Sequence, residues 1–251
     1  MGQRRSPLDV VDLERLAARG WHGAETEPLG DWWLRAGGGG FTRRAHSVLV
    51  VGDPGRPLGG AVPAVAAWYA ARGLTPCAQL PGRQARAADA AFAAAGWTRD
   101  ADTLVLTAPL EDEEPGPRAT VSITPTPDEG WLAAARHDGA PLPAGAPSVL
   151  TGAARTAFAS IATEDGTVVG VARGALTDDW LGITAVAVDE SVRRGGLATS
   201  LTRALQSWAV DAGARWCHLQ VGGDNTAARA LYRRLGFIEH HRYHYRSAPA
   251  G

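Results

Sequence analysis

The amino-acid sequence predicts an α/β (α+β) protein: a mixed, twisted sheet flanked by helices, built as two tandem copies. Three observations carry this. Residues 118–251 alternate strand-like and helix-like segments in the order β-α-β-β-β-α-β-α-β, which a mixed sheet with helices packed on it accommodates. The chain matches itself after a gapless shift of 140 residues. Its 251 residues, 45% hydrophobic and 20% charged, reach about 1.7 times a typical domain of roughly 150 residues and can bury two cores.

Each element of the second half has its own signal. Residues 119–124 are short and β-branched, and 128–136 read as a helix after Pro127. Residues 155–163 alternate, Glu164-Asp165-Gly166 turns the chain, and 167–176 alternate again, a hairpin pattern. Thr177-Asp178-Asp179 turns it once more into 180–188. Leu197, Leu201, Leu205 and Trp208 recur at helical spacing through 197–212, and Gly213 stops the helix. Residues 216–221 read as a strand, 226–235 as a helix ended by Gly236, and 237–246 as the last strand. In the first half, 32–36 and 41–51 read as strands, with Gly37–Gly40 as the turn between them.

The repeat rests on rare residues. A shift of 140 places Trp68 on Trp208, Gly73 on Gly213, Cys77 on Cys217, Ala88 on Ala228, Phe92 on Tyr232, Gly96 on Gly236 and Trp97 on Phe237. It also places 44–51 on 184–191. Both cysteines of the chain fall in one register. Between the copies, Glu111-Asp112-Glu113-Glu114-Pro115-Gly116-Pro117 cannot continue a helix or a central strand. The expected organisation is therefore residues 1–110 as a first domain, 111–117 as an acidic linker and 118–251 as a second domain.

Composition excludes several classes. Twenty-five basic against 26 acidic side chains leave a net charge of −1, so no global field favours nucleic acid or anionic lipid. No apolar run approaches the roughly 20 residues of a membrane span. Residues 1–12 lack the apolar core of a signal peptide, so a cytoplasmic protein is expected. Cys77 and Cys217 sit in apolar stretches and read as buried free thiols; two cysteines are too few for a metal finger, and no metal is expected.

One loop carries chemistry. Val188-Asp189-Glu190-Ser191-Val192-Arg193-Arg194-Gly195-Gly196-Leu197-Ala198-Thr199 joins a strand to a helix whose first amides are unpaired. Such a terminus behaves as about half a positive charge and suits a diphosphate, with Arg193 and Arg194 adding charge. Downstream lies Asn225-Thr226-Ala227-Ala228-Arg229-Ala230-Leu231-Tyr232-Arg233-Arg234-Leu235-Gly236-Phe237.

Here the sequence resembles the GNAT superfamily of acetyl-CoA-dependent N-acetyltransferases. Arg193-x-x-Gly196-x-Ala198 fits that family's Q/R-x-x-G-x-G/A pyrophosphate loop, and Asn225-x-x-Ala228-x-x-Leu231-Tyr232-x-x-x-Gly236-Phe237 fits its second signature. The likeness covers about residues 118–247, and the tandem layout is similar to two-domain GNAT proteins of actinobacteria. It implies acetyl-CoA as cosubstrate, bound by Val186, Ala187 and Val188 along the pantetheine arm. It implies Arg193, Arg194, Gly195, Gly196, Leu197, Ala198 and Thr199 at the diphosphate, Asn225 at the pantetheine amides or as a helix cap, and Tyr232 as general acid. The expected activity is acetyl transfer to a primary amine of a small molecule or peptide, by direct attack in a ternary complex, in a monomer or homodimer. An acyl-CoA-binding sensor or scaffold is the rival.

The sequence departs from the resemblance at the base. The fourth strand, Gly182 to Val188, holds no carboxylate, and Gln220 stands where some relatives place one. Asp178, Asp179 and His218 are the nearest titratable groups; the aspartates read as turn formers and His218 as hydrogen-bonded on a strand face. Cys217, inside a strand, is a poor nucleophile. In the first copy, Asp53-Pro54-Gly55-Arg56-Pro57-Leu58 replaces the diphosphate loop and Phe92 replaces Tyr232, which reads as a catalytically dead partner that covers a sheet edge or shapes the acceptor site. At the C-terminus, alternation puts His240, Arg242 and His244 on one strand face and His241, Tyr243 and Tyr245 on the other.

Overall fold

The computed structural model describes residues 5–37, 41–110, 119–135 and 142–249. The acidic run 111–117 and Gly38, Gly39 and Gly40 lie outside the described residues. The first half holds α1 (Val10–Gly20), β1 (Glu25–Leu29), β2 (Trp32–Ala36), β3 (Val48–Leu49), α2 (Leu58–Ala70), β4 (Cys77–Pro81), α3 (Arg86–Ala94), β5 (Thr98–Arg99) and β6 (Thr103–Pro109). The second holds β7 (Ser122–Thr124), α4 (Glu129–Ala134), α5 (Ala146–Thr151), β8 (Arg155–Ala162), β9 (Val168–Thr177), β10 (Trp180–Val188), α6 (Leu197–Asp211), β11 (Trp216–Gly222), α7 (Thr226–Arg234) and β12 (Ile238–Ser247). The β-α-β-β-β-α-β-α-β order holds, with α5 as an addition.

All strands belong to one mixed sheet in the order β1-β2-β3-β4-β12-β6-β11-β10-β9-β8-β7, with β5 beside β12. The β3·β4 and β10·β11 pairs are parallel and the others antiparallel. The two halves trade their last strands. β6 of the first half pairs with β11 of the second, β12 of the second pairs with β4 of the first, and β6 and β12 pair with each other. The exchange gives the inner edges of β4 and β11 partners that their own halves do not supply, and unpaired buried backbone is costly.

β11 shows how the sheet sorts its faces. Cys217, Leu219 and Val221 turn to one side and pack with Leu201, Leu205 and Ala209 of α6 and Tyr232 of α7. Trp216 turns to the other side, where Leu13 and Leu16 of α1 cover it together with Trp180, Tyr243 and Tyr245. Helix α1, a first-half element, thus roofs second-half strands.

Two expectations need correction. Residues 41–51 do not form one strand: Arg43–Ala45 is a 3-10 turn and only Val48–Leu49 pairs. The cause is Arg35, whose guanidinium donates to Ser47 O and Ser47 Oγ at 3.0 Å each, so a side chain replaces the ladder there. The gapless shift also fails at this strand. Ala78 and His218 are 140 apart, but their parallel partners Val48 and Gly182 are 134 apart. The second half carries extra residues, 184–188, after its parallel pairing ends.

The expected alternation holds from His241 to Tyr245, with His241, Tyr243 and Tyr245 buried, and departs at His240. β12 shifts register between Glu239 and His241, and the bulge brings the Nδ1 atoms of His240 and His241 to 2.8 Å. A buried polar chain follows: Leu8 O, His240 Nε2 (2.9 Å), His241 Nε2 to Glu14 Oε1 (2.8 Å), Gln79 Nε2 to Glu14 Oε2 (2.8 Å), and Arg35 Nη2 to Gln79 Oε1 (2.7 Å). It ties α1, β2, β4 and β12 across both halves.

His244 Nε2 (2.8 Å) and Arg246 Nε (2.5 Å) both donate to Asp89 Oδ1 of α3. Burial alone would raise the Asp89 carboxyl, but the hydrogen bonds from Arg246 and His244 outweigh it and hold it below the usual carboxylate value. A depressed carboxyl stabilises the fold above its unfolded-state pKa and loses that contribution as pH falls through the folded one. Asp89→Asn is expected to cost about 1 kcal/mol at pH 7 and progressively less as pH falls through the folded-state value of Asp89, read by urea unfolding along an acid pH series.

Candidate active site

The sheet splits where the extra residues begin. β10 pairs with β11 from Trp180↔Trp216 to Ile183↔Leu219 and then stops. Its other edge stays paired with β9 as far as Val188↔Gly170, across a bulge between Thr184 and Ala187. Ala185 sits in the bulge at φ +51°, a left-handed conformation that costs an ordinary residue about 1–2 kcal/mol. Val186, Ala187 and Val188 therefore present one unpaired backbone edge to a V-shaped gap. An extended ligand carrying amides can pair with that edge as a further strand would.

The same strand leads into the loop. Glu190–Val192 is a 3-10 turn, and Asp189 Oδ1 accepts from Ser191 N at 2.9 Å. Arg193 folds back, donating to Val188 O (3.2 Å) and pairing with Glu190 (2.8 Å), while Arg194 is exposed. Gly196 caps α6 at φ +80° without a side chain. The first amide bonded back into the helix start is Ser200 N, to Gly196 O at 3.0 Å. The amides of Leu197, Ala198 and Thr199 remain open to an anion at the positive end of a 15-residue helix.

Across the gap stands α7. Asn225 caps it, its Oδ1 accepting from Ala228 N at 3.0 Å, which leaves its amide nitrogen uncommitted. Tyr232 turns inward, 6% exposed, in the cluster that also holds Leu219 and Val221 and against which Val186, Val188 and Leu197 pack. Burial, with Cys217 adding to it, pushes the phenol up to about 12, so it keeps its proton at neutral pH. The fold thus gathers Tyr232, the free edge of β10 and the start of α6 on one side of the sheet.

The other side of the split holds residues that sequence reasoning missed. A narrow pocket lies between α1 and the diverging strands, lined by Gly20, Trp21, Arg44, Gly182, Thr184 and His218 among others. The His218 ring approaches Gly182 by its Nε2 tip, where a Cβ would come within 2.8 Å of Nε2. Burial first, then Arg44 and His241, push its imidazole down to about 4, and among the described residues its Nδ1 has no partner, so the expected strand-face hydrogen bond is not made there. Gln220 Oε1 accepts from Tyr243 Oη at 2.9 Å. Asp178 and Asp179 occupy the β9–β10 turn at the opposite end of β10, paired with Arg19 (2.6 Å) and Arg215 (2.7 Å). The Cys217 thiol, fully buried, lies well above its usual value. Arg173, alone among apolar residues of β9, was the one local signal for this pocket.

The first half repeats none of this geometry. β3 stays with β4 to its end, Val50 N donating to Gln79 O at 3.0 Å. In the following loop Asp53 N donates to Asp31 Oδ2 (2.9 Å) and Gly55 N to Asp53 Oδ1 (2.7 Å), so the chain's own carboxylates take the amides. Phe92 stacks on Trp32 at 5.9 Å and meets Trp97 at 4.7 Å, filling the position of Tyr232.

A mixed sheet split between two parallel strands, an uncapped helix behind one of them and a buried tyrosine opposite define an N-acetyltransferase of the GNAT superfamily. The chain belongs to the family described as probable histone acetyltransferase Rv0428c C-terminal, which it matches over residues 8–246. It is 32% identical to the probable histone acetyltransferase Rv0428c of Mycobacterium tuberculosis, over 98% of this chain and 80% of that protein. It is 27% identical to the uncharacterized N-acetyltransferase YobR of Bacillus subtilis, over 95% and 98%. Its fold is similar to a GCN5-related N-acetyltransferase from Kribbella flavida (TM-score 0.72, 19% identity, 98% of each chain). It is also similar to a tandem GNAT protein from the clavulanic acid biosynthesis pathway (TM-score 0.59, 18% identity, 100% and 91%). Among the described residues no helix is long and apolar enough to cross a membrane, and no group of His, Cys, Asp and Glu is placed to hold a metal ion.

Proposed function

We propose that the protein transfers the acetyl group of acetyl-CoA to a primary amine of a small molecule or peptide, by direct attack in a ternary complex at the split of β10 and β11. The observation that carries this reading is the free edge of Val186, Ala187 and Val188, which leads through the 189–196 loop to the open amides of α6. Arg193, Arg194 and Gly195 to Thr199 hold the diphosphate; the 186–188 edge and Asn225 hold the pantetheine arm. Backbone donors at the split strengthen as the thioester oxygen gains charge. Tyr232, kept protonated by burial, returns a proton to the departing thiolate. Residues 1–110 form the inert copy and 118–251 the live one. Release of free CoA thiol over a panel of amines tests the reading; release at the rate of uncatalysed hydrolysis with every amine class overturns it.

The missing base narrows the acceptor. At pH 7 a lysine-type amine near 10.4 costs about 4.6 kcal/mol to deprotonate, whereas an α-amine near 7.7–8.0 costs about 1–1.4 kcal/mol. With His218 pushed down to about 4 and Gln220 unable to take a proton, the site serves the second kind. The rate is expected to rise with pH until the acceptor amine itself is deprotonated. An inflection near pH 6 to 7 that persists across acceptors of different pKa would reveal an enzymic base. The missing carboxylate also favours a second reading, a CoA-binding sensor, which the thiol-release panel separates from the first.

A further inference from the structure

Two arginines converge behind the split with no carboxylate paired to either among the described residues. Arg173 of β9 is 0% exposed. Its Nε donates to Leu150 O (2.6 Å), and its Nη1 to Gly20 O (3.1 Å) and, more weakly, Thr184 Oγ1 (3.4 Å). Its Nη2 is buried without a partner. Arg44, from the first-half 3-10 turn, is half-buried and also leaves a buried Nε unpartnered. Both guanidiniums lie over the ring of Trp21, at 4.9 Å and 5.4 Å from its centroid. No carboxylate pairs with either among the described residues. Gly20 and Thr184, which Arg173 touches, line the pocket together with Trp21, Arg44 and His218.

A buried cation without a counter-charge is among the most expensive arrangements in a protein interior. Burial, with Arg44 adding to it, brings the Arg173 guanidinium down to about 9, and it stays charged at neutral pH. Retaining two such groups, one from each half, beside the acetyl-transfer gap is accounted for by an anionic occupant. A planar guanidinium suits a carboxylate, which accepts two parallel N–H bonds. Thr184 lies two residues before Val186, across the Ala185 bulge, so the anion and the acylated nitrogen meet at the same stretch of β10.

Resting on the acetyltransferase reading above, we infer that the pocket lined by Arg44, Trp21 and His218, with Arg173 behind its Gly20 and Thr184 walls, takes the carboxylate group of the acceptor, which is then a compact amino acid or the acid end of a very short peptide. The unpaired Nδ1 of His218 is left to meet the amine end. Neighbouring positive charge favours the neutral amine over the ammonium, which assists a site without a carboxylate base.

The test uses matched acceptors, α-amino acids and dipeptides against their carboxamides, in two arms: CoA-thiol release, and calorimetric binding to the protein with CoA present. The acids are expected to exceed their amides at least tenfold in kcat/KM and in affinity. Arg44→Gln is expected to remove most of that preference, raising KM for the acids about 10- to 100-fold while leaving KM for acetyl-CoA and the melting temperature nearly unchanged. Turnover with acids and amides equally good overturns the carboxylate site and leaves the acetyltransferase reading standing. Selective binding of acids without any turnover does the reverse. Should Arg173→Gln fail to fold, Arg44→Gln alone decides, and an undiminished preference in that variant refutes the assignment.

Discussion

Replacing Tyr232 by phenylalanine is expected to lower kcat by about 10²- to 10⁴-fold, the span typical of a lost general acid, with acetyl-CoA affinity changed less than about threefold. The hydroxyl makes no hydrogen bond among the described residues, and the ring packs edge-on against Phe237 at 5.7 Å. Phenylalanine keeps that packing, so the melting temperature should hardly move. The loss then falls on proton delivery to the thiolate and appears in kcat and kcat/KM together. The effect should shrink with acyl donors whose thiol is more acidic, because such a leaving group needs no proton. A variant with full turnover but a lower melting temperature would make Tyr232 a core residue only.

Gly196→Asp is expected to weaken acetyl-CoA binding by about 100- to 1000-fold, equivalent to about 3–4 kcal/mol. Three effects act in one direction. Gly196 sits at φ +80°, where an aspartate is strained. Its carboxylate would accept from the Leu197, Ala198 and Thr199 amides that the diphosphate needs. It would also repel the diphosphate directly. Arg193→Glu should act in the same sense but less, because Arg193 is exposed and already shared with Glu190. The control lies in the other half: Arg56→Glu should leave affinity within about twofold, since the Asp53 and Gly55 amides there are already taken. Calorimetry in which both loops proved equally sensitive would overturn the assignment of one live copy.

The loop into α6 and the start of α7 were legible because they are local. The amides of 197–199, the cap at Asn225 and the tyrosine seven residues after it belong to two short segments whose spacing is fixed by one loop and one helix. Periodicity likewise placed β8, β9, β10, α6, β11, α7 and β12 to within a residue or two, since each buries one face with a regular pattern. The first half was harder. Residues 41–51 look strand-like, yet Arg35 binds Ser47 and takes the segment out of the ladder, and no pattern within 41–51 announces an arginine on another strand. The bulge at Glu239 and His241 was equally silent, because alternation assumes an unbroken pleat.

What the sequence by itself determined is the local chemistry: a helix start with open amides, a strand that leads into it and a tyrosine that keeps its proton. What only the tertiary structure decided is how two halves become one site. Reading the halves as separate units could not anticipate that β6 and β12 change places, because either strand satisfies its backbone equally well against any partner of the right length. Nor could it place Trp21 and Arg44 beside Arg173 and His218. Those residues meet because α1 buries Leu13 and Leu16 against Trp180 and Trp216; that packing carries the rest of the first half over the split. Local spacing is written in the chain, whereas the pocket under α1 depends on which apolar surfaces find each other across more than a hundred residues.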